Sequence, residues 1–463
     1  MTRAAGAVRT IGAERAADIA GVLVVLAFIV AGLRIGAATP PFQSPDEHTH
    51  VGLAWAVGHG ILPWERPEGT GSGARIDGGL RAFMQAYDPV TRLDHPVTPE
   101  VAAAAEAIRW TGERVFVPNS AGVYLPIAYL PQAAGLRAGE VLGWTVAESY
   151  RLGRLLTLLA SCLVLLLALR LEPPSALGLA IVAVPMTLFQ MAAPVADGLC
   201  AAIALVICAL LVRTIRAGPA ARTREIVALT ASVVVVAGAR PFLVVLVLPL
   251  LALSWWTRDR RGLAAGVVAT LLLAAWYLPA FAHNVDTRVA DIVDPRANAA
   301  RYLADPFAFV EIVGRTLRDP GRVAFYEQSF LGQLGWLDVV FTPTVYTWLR
   351  VLLVVALVAS VVLAGDRRTW VARGLLVGTA AFACVTILGS VAITWTPAAA
   401  PLIEGAQGRY LIIPALLVAA ALGPIVAPPS PGRRLVAAAI AIAMTLVSTH
   451  VALEGLNVRY LPG

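Results

Sequence analysis

Long runs of Ala, Leu and Val alternate along the chain with short Arg-rich segments and with two long polar stretches. A transmembrane helix needs about 20 mostly apolar residues to cross a hydrocarbon core of about 30 Å. The runs have this length and lack the alternation of barrel strands, so they predict an all-α membrane protein. About eleven transmembrane helices are expected, at residues 17–38, 150–170, 175–194, 198–212, 226–239, 241–256, 263–281, 345–363, 375–395, 410–426 and 435–449.

The two polar stretches cover residues 39–122 and 283–344. Loops this long are more often functional than passive, and their Trp and Phe residues suit interfacial helices, one of them near residues 307–317. Residues 123–143 are apolar but interrupted by Pro126, Pro131, Arg137 and Glu140. They indicate an interfacial or re-entrant helix, with a full span as the alternative. Residues 1–463 are therefore predicted to form a single polytopic domain.

The composition supports a membrane protein, and the distribution of arginine and histidine along the chain predicts its orientation. The 463 residues are 58% hydrophobic and 14% charged, with a formal net charge of +7 and no lysine. The arginine clusters between spans fall on one side of the predicted trace, and all six histidines, among them His95 and His283, fall on the other. The positive-inside rule then predicts a cytoplasmic N-terminus in the cell membrane and two extracytoplasmic polar stretches. The positive net charge reflects the arginine clusters on the cytoplasmic side of this topology, so no nucleic-acid partner is expected.

The segment Ser44-Pro45-Asp46-Glu47, followed by His50, carries the densest candidate chemistry. It begins the first polar stretch where a span ends, and burial there would raise a carboxylate pKa towards that of a general base. A capping box, with Ser44 as N-cap and Glu47 at the third helical position, is the structural alternative. Glu47 and His50 share a helix face and could hold a divalent cation, although this spacing alone is a weak metal signal. No other cofactor is indicated.

Further candidates lie at the same outer ends of the spans. Asp197 is an acid between two apolar runs, which makes it a functional candidate, although a Pro-x-x-Asp-Gly turn explains it equally well. Arg154, Arg240 and Arg409 lie on the side opposite to the basic clusters and need anionic partners. Lipid headgroups or a carboxylate would suffice, whereas for Arg409 a lipid-linked phosphate is favoured. The remaining candidates flank Arg409 and are Gln407 and Tyr410.

An ordered set of short motifs resembles a bacterial family of multi-pass membrane proteins of unknown function that is grouped with the GT-C glycosyltransferases. The matching segments are Ser44-Pro45-Asp46-Glu47 with His50, Tyr124-Leu125-Pro126 through Leu130-Pro131-Gln132, Gly153-Arg154-Leu155, Asp197, residues 332–338, and Gln407-Gly408-Arg409-Tyr410-Leu411.

The resemblance implies an outward-facing active site and sugar transfer, with inversion, from a polyprenyl-phosphate carrier to a cell-envelope acceptor. GT-C enzymes typically place an acid in the first external loop, which here corresponds to Asp46 or Glu47. Many have a second acid at the next outward turn, which corresponds to Asp197. His50, Arg154, Arg240, Arg409, Tyr410 and Gln407 are the expected substrate-binding residues.

Two other functions remain open at this stage. A transporter or flippase for a lipid-linked envelope precursor would carry broken helices and midplane charges, commonly in two matching halves. We find no convincing internal repeat, and the charges cluster at the outer ends of the spans. A non-catalytic scaffold for envelope assembly would need no ordered acid pocket.

Overall fold

Helices form most of the computed structural model, which describes residues 2–92, 97–288, 291–362 and 364–461. His95, assigned above to the outer side, lies outside these residues. The helices are α1 (Thr2–Ala38), α2 (Glu47–Gly58), α3 (Gly78–Ala86), α4 (Asp88–Arg92), α5 (Pro99–Glu106), α6 (Leu130–Val141), α7 (Val146–Leu171), α8 (Ala176–Val182), α9 (Pro185–Ala192), α10 (Ala196–Ala217), α11 (Thr223–Ala239), α12 (Val247–Ala252), α13 (Ser254–Thr257), α14 (Arg261–His283), α15 (Pro295–Ala304), α16 (Pro306–Arg318), α17 (Pro320–Leu331), α18 (Pro343–Ser360), α19 (Arg367–Thr394), α20 (Ile412–Leu422) and α21 (Pro431–Tyr460).

Seven helices in the described part of the chain are long and apolar enough to cross a membrane. They lie within α1, α7, α10, α14, α18, α19 and α21, and coincide with seven of the eleven predicted spans. The other four apolar runs are also helical but shorter or broken. Pro185 separates α8 from α9, and Pro241 begins a 3₁₀ turn directly after α11. Proline lacks the amide hydrogen that a continuous helix requires, which explains both breaks.

The helix α10 occupies the centre of the bundle. Of its most apolar stretch, 89% is buried inside the protein, because α7, α9, α11 and α20 surround it. The other long helices turn more of their apolar surface outwards, as expected of segments that face lipid. Asp197 lies at one end of this central helix, so the fold brings it next to several neighbouring segments at once.

Residues 123–143 follow a 3₁₀ turn that ends at Val123, and they form a second 3₁₀ turn at Pro126–Tyr129 followed by the 12-residue helix α6. A helix of this length extends about 18 Å, too short to cross the bilayer by itself. It packs closely on α7 through small residues. A Cβ atom at Gly135 would lie 2.3 Å from the backbone nitrogen of Gly153, and one at Gly139 would lie 2.2 Å from the hydroxyl of Ser149.

The two long polar stretches are folded and meet on one face of the bundle. The amide of Ser72 donates to the carbonyl of Val285 over 2.9 Å, and the Trp336 indole donates to the carbonyl of Phe42 over 2.9 Å. Arginine pairs lie at the opposite ends of the helices, for example Arg216 with Glu172 at 2.8 Å. The two polar stretches therefore share a side, as the sequence pattern predicted.

The second polar stretch contains three helices that each begin with an Asp-Pro pair. Asp294, Asp305 and Asp319 accept hydrogen bonds from backbone amides of the first helical turn, and the following proline occupies the first helical position. This is the favoured start of a helix, because aspartate satisfies free amides and proline needs no partner there. The helix expected near residues 307–317 is α16.

The polar stretches also contain short strands, which the all-α prediction did not include. The strands β1 (Gly73–Asp77) and β2 (Arg114–Pro118) pair antiparallel, with Gly73 opposite Pro118 and Asp77 opposite Arg114. In the second stretch β3 (Gln333–Leu334) pairs antiparallel with β4 (Val339–Val340). Segments of two to five residues are too short to show the alternating pattern by which strands are recognised.

The contact between α6 and α7 predicts a strong difference between two glycines. Replacing Gly135 by alanine forces a methyl group against the backbone of Gly153, and such overpacking costs about 1–3 kcal/mol. Gly378 in α19 has nothing within 4 Å of an added Cβ, so Gly378→Ala is the matched control. We expect a lower thermal unfolding midpoint in detergent for Gly135→Ala and an unchanged or higher one for Gly378→Ala. Equal midpoints would contradict the close approach of these helices.

Candidate functional site

Asp46 lies where the first polar stretch turns into α2. Its backbone φ of 62° is in the left-handed region, which aspartate tolerates better than most residues. Its carboxylate does not cap the helix. One oxygen lies 3.4 Å from Nη2 of Arg409, and the other lies 3.2 Å from Nη1 of Arg288. The Asp46 side chain is 38% exposed, so solvent reaches it between the two arginines.

Glu47 points away from this cluster and is completely buried. Its carboxylate accepts the amide hydrogen of Ser44 over 2.9 Å and the hydroxyl hydrogen of Tyr150. Only half of the predicted capping box is therefore present, because the helix begins at Glu47 with Asp46 rather than Ser44 before it. Burial raises the pKa of Glu47 and outweighs the opposing effects of Arg154 and Tyr150. The two adjacent acids thus have separate surroundings.

Arg154 is engaged on the Glu47 side and not in the cluster around Asp46. Its Nη1 donates to the carbonyls of Gly36 and Thr39 over 2.7 and 2.9 Å, at the end of α1. Its Nη2 lies 3.8 Å from the Glu47 carboxylate. The structure does not bring Arg154 together with Arg240 and Arg409, because carbonyl groups at the end of α1 are its main partners.

Asp197 and Arg240 form a buried pair on the Asp46 side. Asp197 lies in the first turn of α10, where the positive end of the helix dipole favours an anion. The Nε atom of Arg240 donates to Asp197 over 2.8 Å, and the Arg240 guanidinium also lies over the ring of Tyr124. The alternative of a turn-capping aspartate was wrong, since Asp197 is helical and bound to an arginine from the end of α11.

Arg409 follows Gly408, where close packing against α17 leaves no room for a side chain. A Cβ atom at Gly408 would lie 1.9 Å from the carbonyl oxygen of Tyr326, so α17 passes directly over this backbone. The Arg409 side chain is 3% exposed. Within the described residues its Nε and Nη1 atoms have no hydrogen-bond partner, and neither does Oδ2 of Asp197.

A small cavity of about 20 Å³ connects these groups. Its wall includes Asp197, Arg240, Arg409, Gln190 and Tyr410. Guanidinium and carboxylate atoms without partners therefore converge on a space large enough for a water molecule or one oxygen of a ligand. The geometry suits an anion with several oxygens, because guanidinium groups bind such anions through parallel hydrogen bonds.

The two candidates beside Arg409 differ in position. The ring of Tyr410 packs on Phe242, with ring centroids 5.5 Å apart, and lies under the Arg409 guanidinium. Gln407 is partly buried and lies outside the wall of the small cavity. Of these two, Tyr410 shares the cavity with Arg409.

His50 is buried between two tyrosine rings. Its Nδ1 atom lies 2.7 Å from the Tyr129 hydroxyl, and its ring stacks on Tyr124. Burial lowers the pKa of His50 to about 4, with a contribution from Arg240. His50 is therefore neutral near pH 7. In the described part of the chain no group of three or more His, Cys, Asp or Glu side chains is placed to hold a metal ion.

The charges around Asp46 keep its carboxylate ionised. Burial acts to raise the pKa of Asp46, but the guanidinium charges of Arg409 and Arg288 hold it below its ordinary value. The position of both acids next to an apolar run had predicted that burial would raise their pKa values. The predicted rise in pKa is found for Glu47. It is wrong for Asp46, because the charges of the facing arginines outweigh the effect of burial.

Sequence reasoning missed several residues of the cluster. Arg288 comes from the second polar stretch, forms a pair with Asp286 at 2.7 Å, and lies over the ring of Trp395. An arginine two residues after an aspartate in an outer loop carries no distinctive signal. Tyr124 was part of a recognised motif but was not assigned to the site. Gln190, in the middle of an apolar run, could have been noticed as a polar residue that needs a partner.

A family model described as "Predicted membrane protein (DUF2142)" matches residues 28–419. The chain belongs to this DUF2142 family. The matched region includes the cluster residues Asp46, Asp197, Arg240 and Arg409, together with both polar stretches. No curated protein and no solved structure matches this DUF2142 protein.

The surroundings of Glu47 predict a structural role that can be measured. Glu47→Ala leaves the Tyr150 hydroxyl and the Ser44 amide buried without their acceptor, and breaking a buried polar pair costs about 3 kcal/mol. Glu65 forms an exposed pair with Arg75, so the control Glu65→Ala should cost less than about 1 kcal/mol. Thermal unfolding in detergent compares the two variants. A Glu47→Ala midpoint equal to that of the control would show that Glu47 is not structural.

The buried His50 predicts that acid destabilises the protein. Its pKa is about 4 when folded and 6.5 when unfolded, so the unfolded chain binds more protons between these values. Stability should fall on the order of 3 kcal/mol as the pH drops from 6.5 to 4. Unfolding measured across this range should show a smaller loss for His50→Gln. The same pH dependence in both proteins would mean that His50 does not titrate as described.

Proposed function

We propose that this protein is a glycosyltransferase of the cell membrane that moves a sugar from a polyprenyl-phosphate carrier to a cell-envelope acceptor. Asp46 serves as the general base. The observation that carries the proposal is the position of Asp46, a partly exposed carboxylate between Arg409 and Arg288, beside a guanidinium with free hydrogen-bond donors. The resemblance of the family to GT-C glycosyltransferases supports the same function.

The reaction exchanges two bonds at the anomeric carbon. The bond from this carbon to the phosphate oxygen breaks while the acceptor oxygen attacks from the opposite face, which inverts the configuration. The acceptor hydroxyl loses its proton to Asp46, and the electron pair of the broken bond leaves with the phosphate. Because the leaving group is already a phosphate, Arg409 can stabilise its charge and no general acid is needed.

Donor binding would make Asp46 a better base. In the free protein the guanidinium charges, that of Arg409 foremost, lower the pKa of Asp46. A phosphate bound to Arg409 neutralises part of this charge, so the pKa of Asp46 rises once the donor is in place. A carboxylate is most effective when its pKa approaches the working pH. The pocket thereby couples proton abstraction to the presence of donor.

Asp197 has a positioning role in this scheme rather than that of a second base. Its carboxylate accepts two hydrogen bonds from Arg240, which fixes the guanidinium beside the small cavity. Arg240 and Arg409 then bind the phosphate together. Glu47 and Arg154 act on the fold, through the turn before α2 and the end of α1.

The membrane arrangement follows from the carrier. A polyprenyl chain is soluble only in the bilayer, so its transferase must present a pocket where helices end at the lipid surface. In this proposal the face that carries both polar stretches is extracytoplasmic and the N-terminus is cytoplasmic. In the proposal the shorter apolar segments, among them α11 and Gly408–Leu422, lie beside the seven long helices and complete a bundle of about eleven helical segments of the GT-C type.

The test is sugar transfer by purified protein in liposomes, with a panel of polyprenyl-phosphate pentoses and hexoses and envelope lipid extracts as acceptors. Asp46→Asn keeps the size of the side chain but cannot take a proton, and its single amide oxygen can accept a hydrogen bond from only one of the two arginines. We expect turnover to fall at least about 100-fold. Glu65→Gln, an exposed acid of the same polar stretch, should retain wild-type activity.

Two results would contradict the proposal. Full activity of Asp46→Asn would remove Asp46 as the base. Movement of the lipid-linked sugar across the liposome membrane without a covalent product would favour a transporter. A thermal unfolding curve recorded for each variant separates loss of chemistry from loss of fold.

A further inference from the structure

On the other side of Glu47 from the Asp46 cluster, the described residues enclose a cavity of about 290 Å³. Its walls come from the last turns of α1, the connection at residues 39–41, the end of α3 and the first half of α7. Tyr150 separates it from the candidate active site, since its side chain lines the cavity while its hydroxyl donates to Glu47. None of the roles assigned above uses this space.

The lining changes character along the cavity. Towards the membrane it consists of Gly32, Leu33, Leu155 and Leu158. At the outer end the wall carries the charged and hydroxyl groups of Arg151, Arg154, Glu106 and Tyr87. Such a division matches a molecule with one apolar and one polar end. A purely polar solute would leave the aliphatic wall in contact with water.

The apolar end opens towards lipid. Leu33 in α1 and Leu155 in α7 are 48% and 36% exposed, on the outward sides of two membrane-spanning helices. Both leucines also line the cavity, so its opening lies between the two helices. A ligand therefore reaches the cavity from the bilayer.

The charge at the polar end favours an anion. Two of the three charged side chains that line the cavity are arginines, and Arg151 forms an exposed pair with the third, Glu106. Arg154 uses Nη1 to hold the end of α1 and its Nη2 lies 3.8 Å from the Glu47 carboxylate, whereas its Nε has no hydrogen-bond partner among the described residues. The two arginines give the polar end of the cavity a positive charge that favours an anionic oxygen.

We propose that this cavity binds a phosphate-bearing lipid of the bilayer. The phosphate lies beside Arg154 and Arg151, and the chain runs past Leu155 and Leu33 into the membrane. The inference does not rest on sugar transfer, because the cavity and the Asp46 cluster have separate walls and lipid binding is measured without turnover.

The first test fills the cavity. Binding of phosphatidylglycerol to the purified full-length protein in detergent is measured by native mass spectrometry. Leu155→Trp places an indole in the opening, and we expect its dissociation constant to rise at least about tenfold. Leu163→Trp is the control, because Leu163 is 66% exposed on the same helix and does not line the cavity. Equal binding by both variants would overturn the proposal.

The second test asks which part of the lipid is recognised. Wild-type protein should prefer phosphatidylglycerol to zwitterionic phosphatidylcholine, and Arg151→Gln should reduce this preference. Inorganic phosphate should compete poorly, because it cannot use the aliphatic wall. Equal binding of the two lipids would refute recognition of the anionic head, and efficient competition by inorganic phosphate would indicate a free-phosphate site instead. Unfolding midpoints of each variant confirm that the fold is retained.

Discussion

Charge pairing beside the membrane is the constraint on which this structure depends. A guanidinium that is withdrawn from water near hydrocarbon must find an anionic partner, and the partners here come from distant parts of the chain. Asp46 from the first polar stretch meets Arg288 from the second and Arg409 from the 3₁₀ turn before α20. Asp197 and Arg240 join the ends of α10 and α11 in the same way. These ion pairs bring the site together and align the helices that carry it.

The same need for partners gives two acids that are adjacent in sequence, Asp46 and Glu47, different surroundings. A left-handed backbone at Asp46 turns its carboxylate towards arginines at the solvent edge, whereas Glu47 enters the protein and binds Tyr150 and Ser44. One carboxylate therefore faces the arginines at the solvent edge and the other holds the turn. The sign of φ at a non-glycine residue leaves no trace in the hydrophobic pattern. Both acids could be identified from the sequence as candidate site residues, but their different surroundings could not be predicted.

Much of the remainder was accessible from sequence because it follows from the cost of charge near lipid. Asp197, Arg240 and Arg409 stood out as charged residues at the ends of apolar runs, and the structure places them around one small cavity. Arg154 carried the same signal, yet it binds the carbonyls at the end of α1. The position of a charged residue at the end of an apolar run shows that it needs a partner, but it does not show which residue the partner is. Arg288 could not be identified from the sequence, because a single arginine is not distinctive among the other charged residues of a polar loop.

The close approach at Gly408 links the site to the second polar stretch. The α17 backbone lies directly against this glycine, and the Ser329 hydroxyl of α17 accepts the Gly408 amide hydrogen over 2.8 Å, so α17 and the backbone beside Arg409 are joined by direct contact. A displacement of α17 at the membrane surface would be transmitted to the guanidinium as a nearly rigid shift.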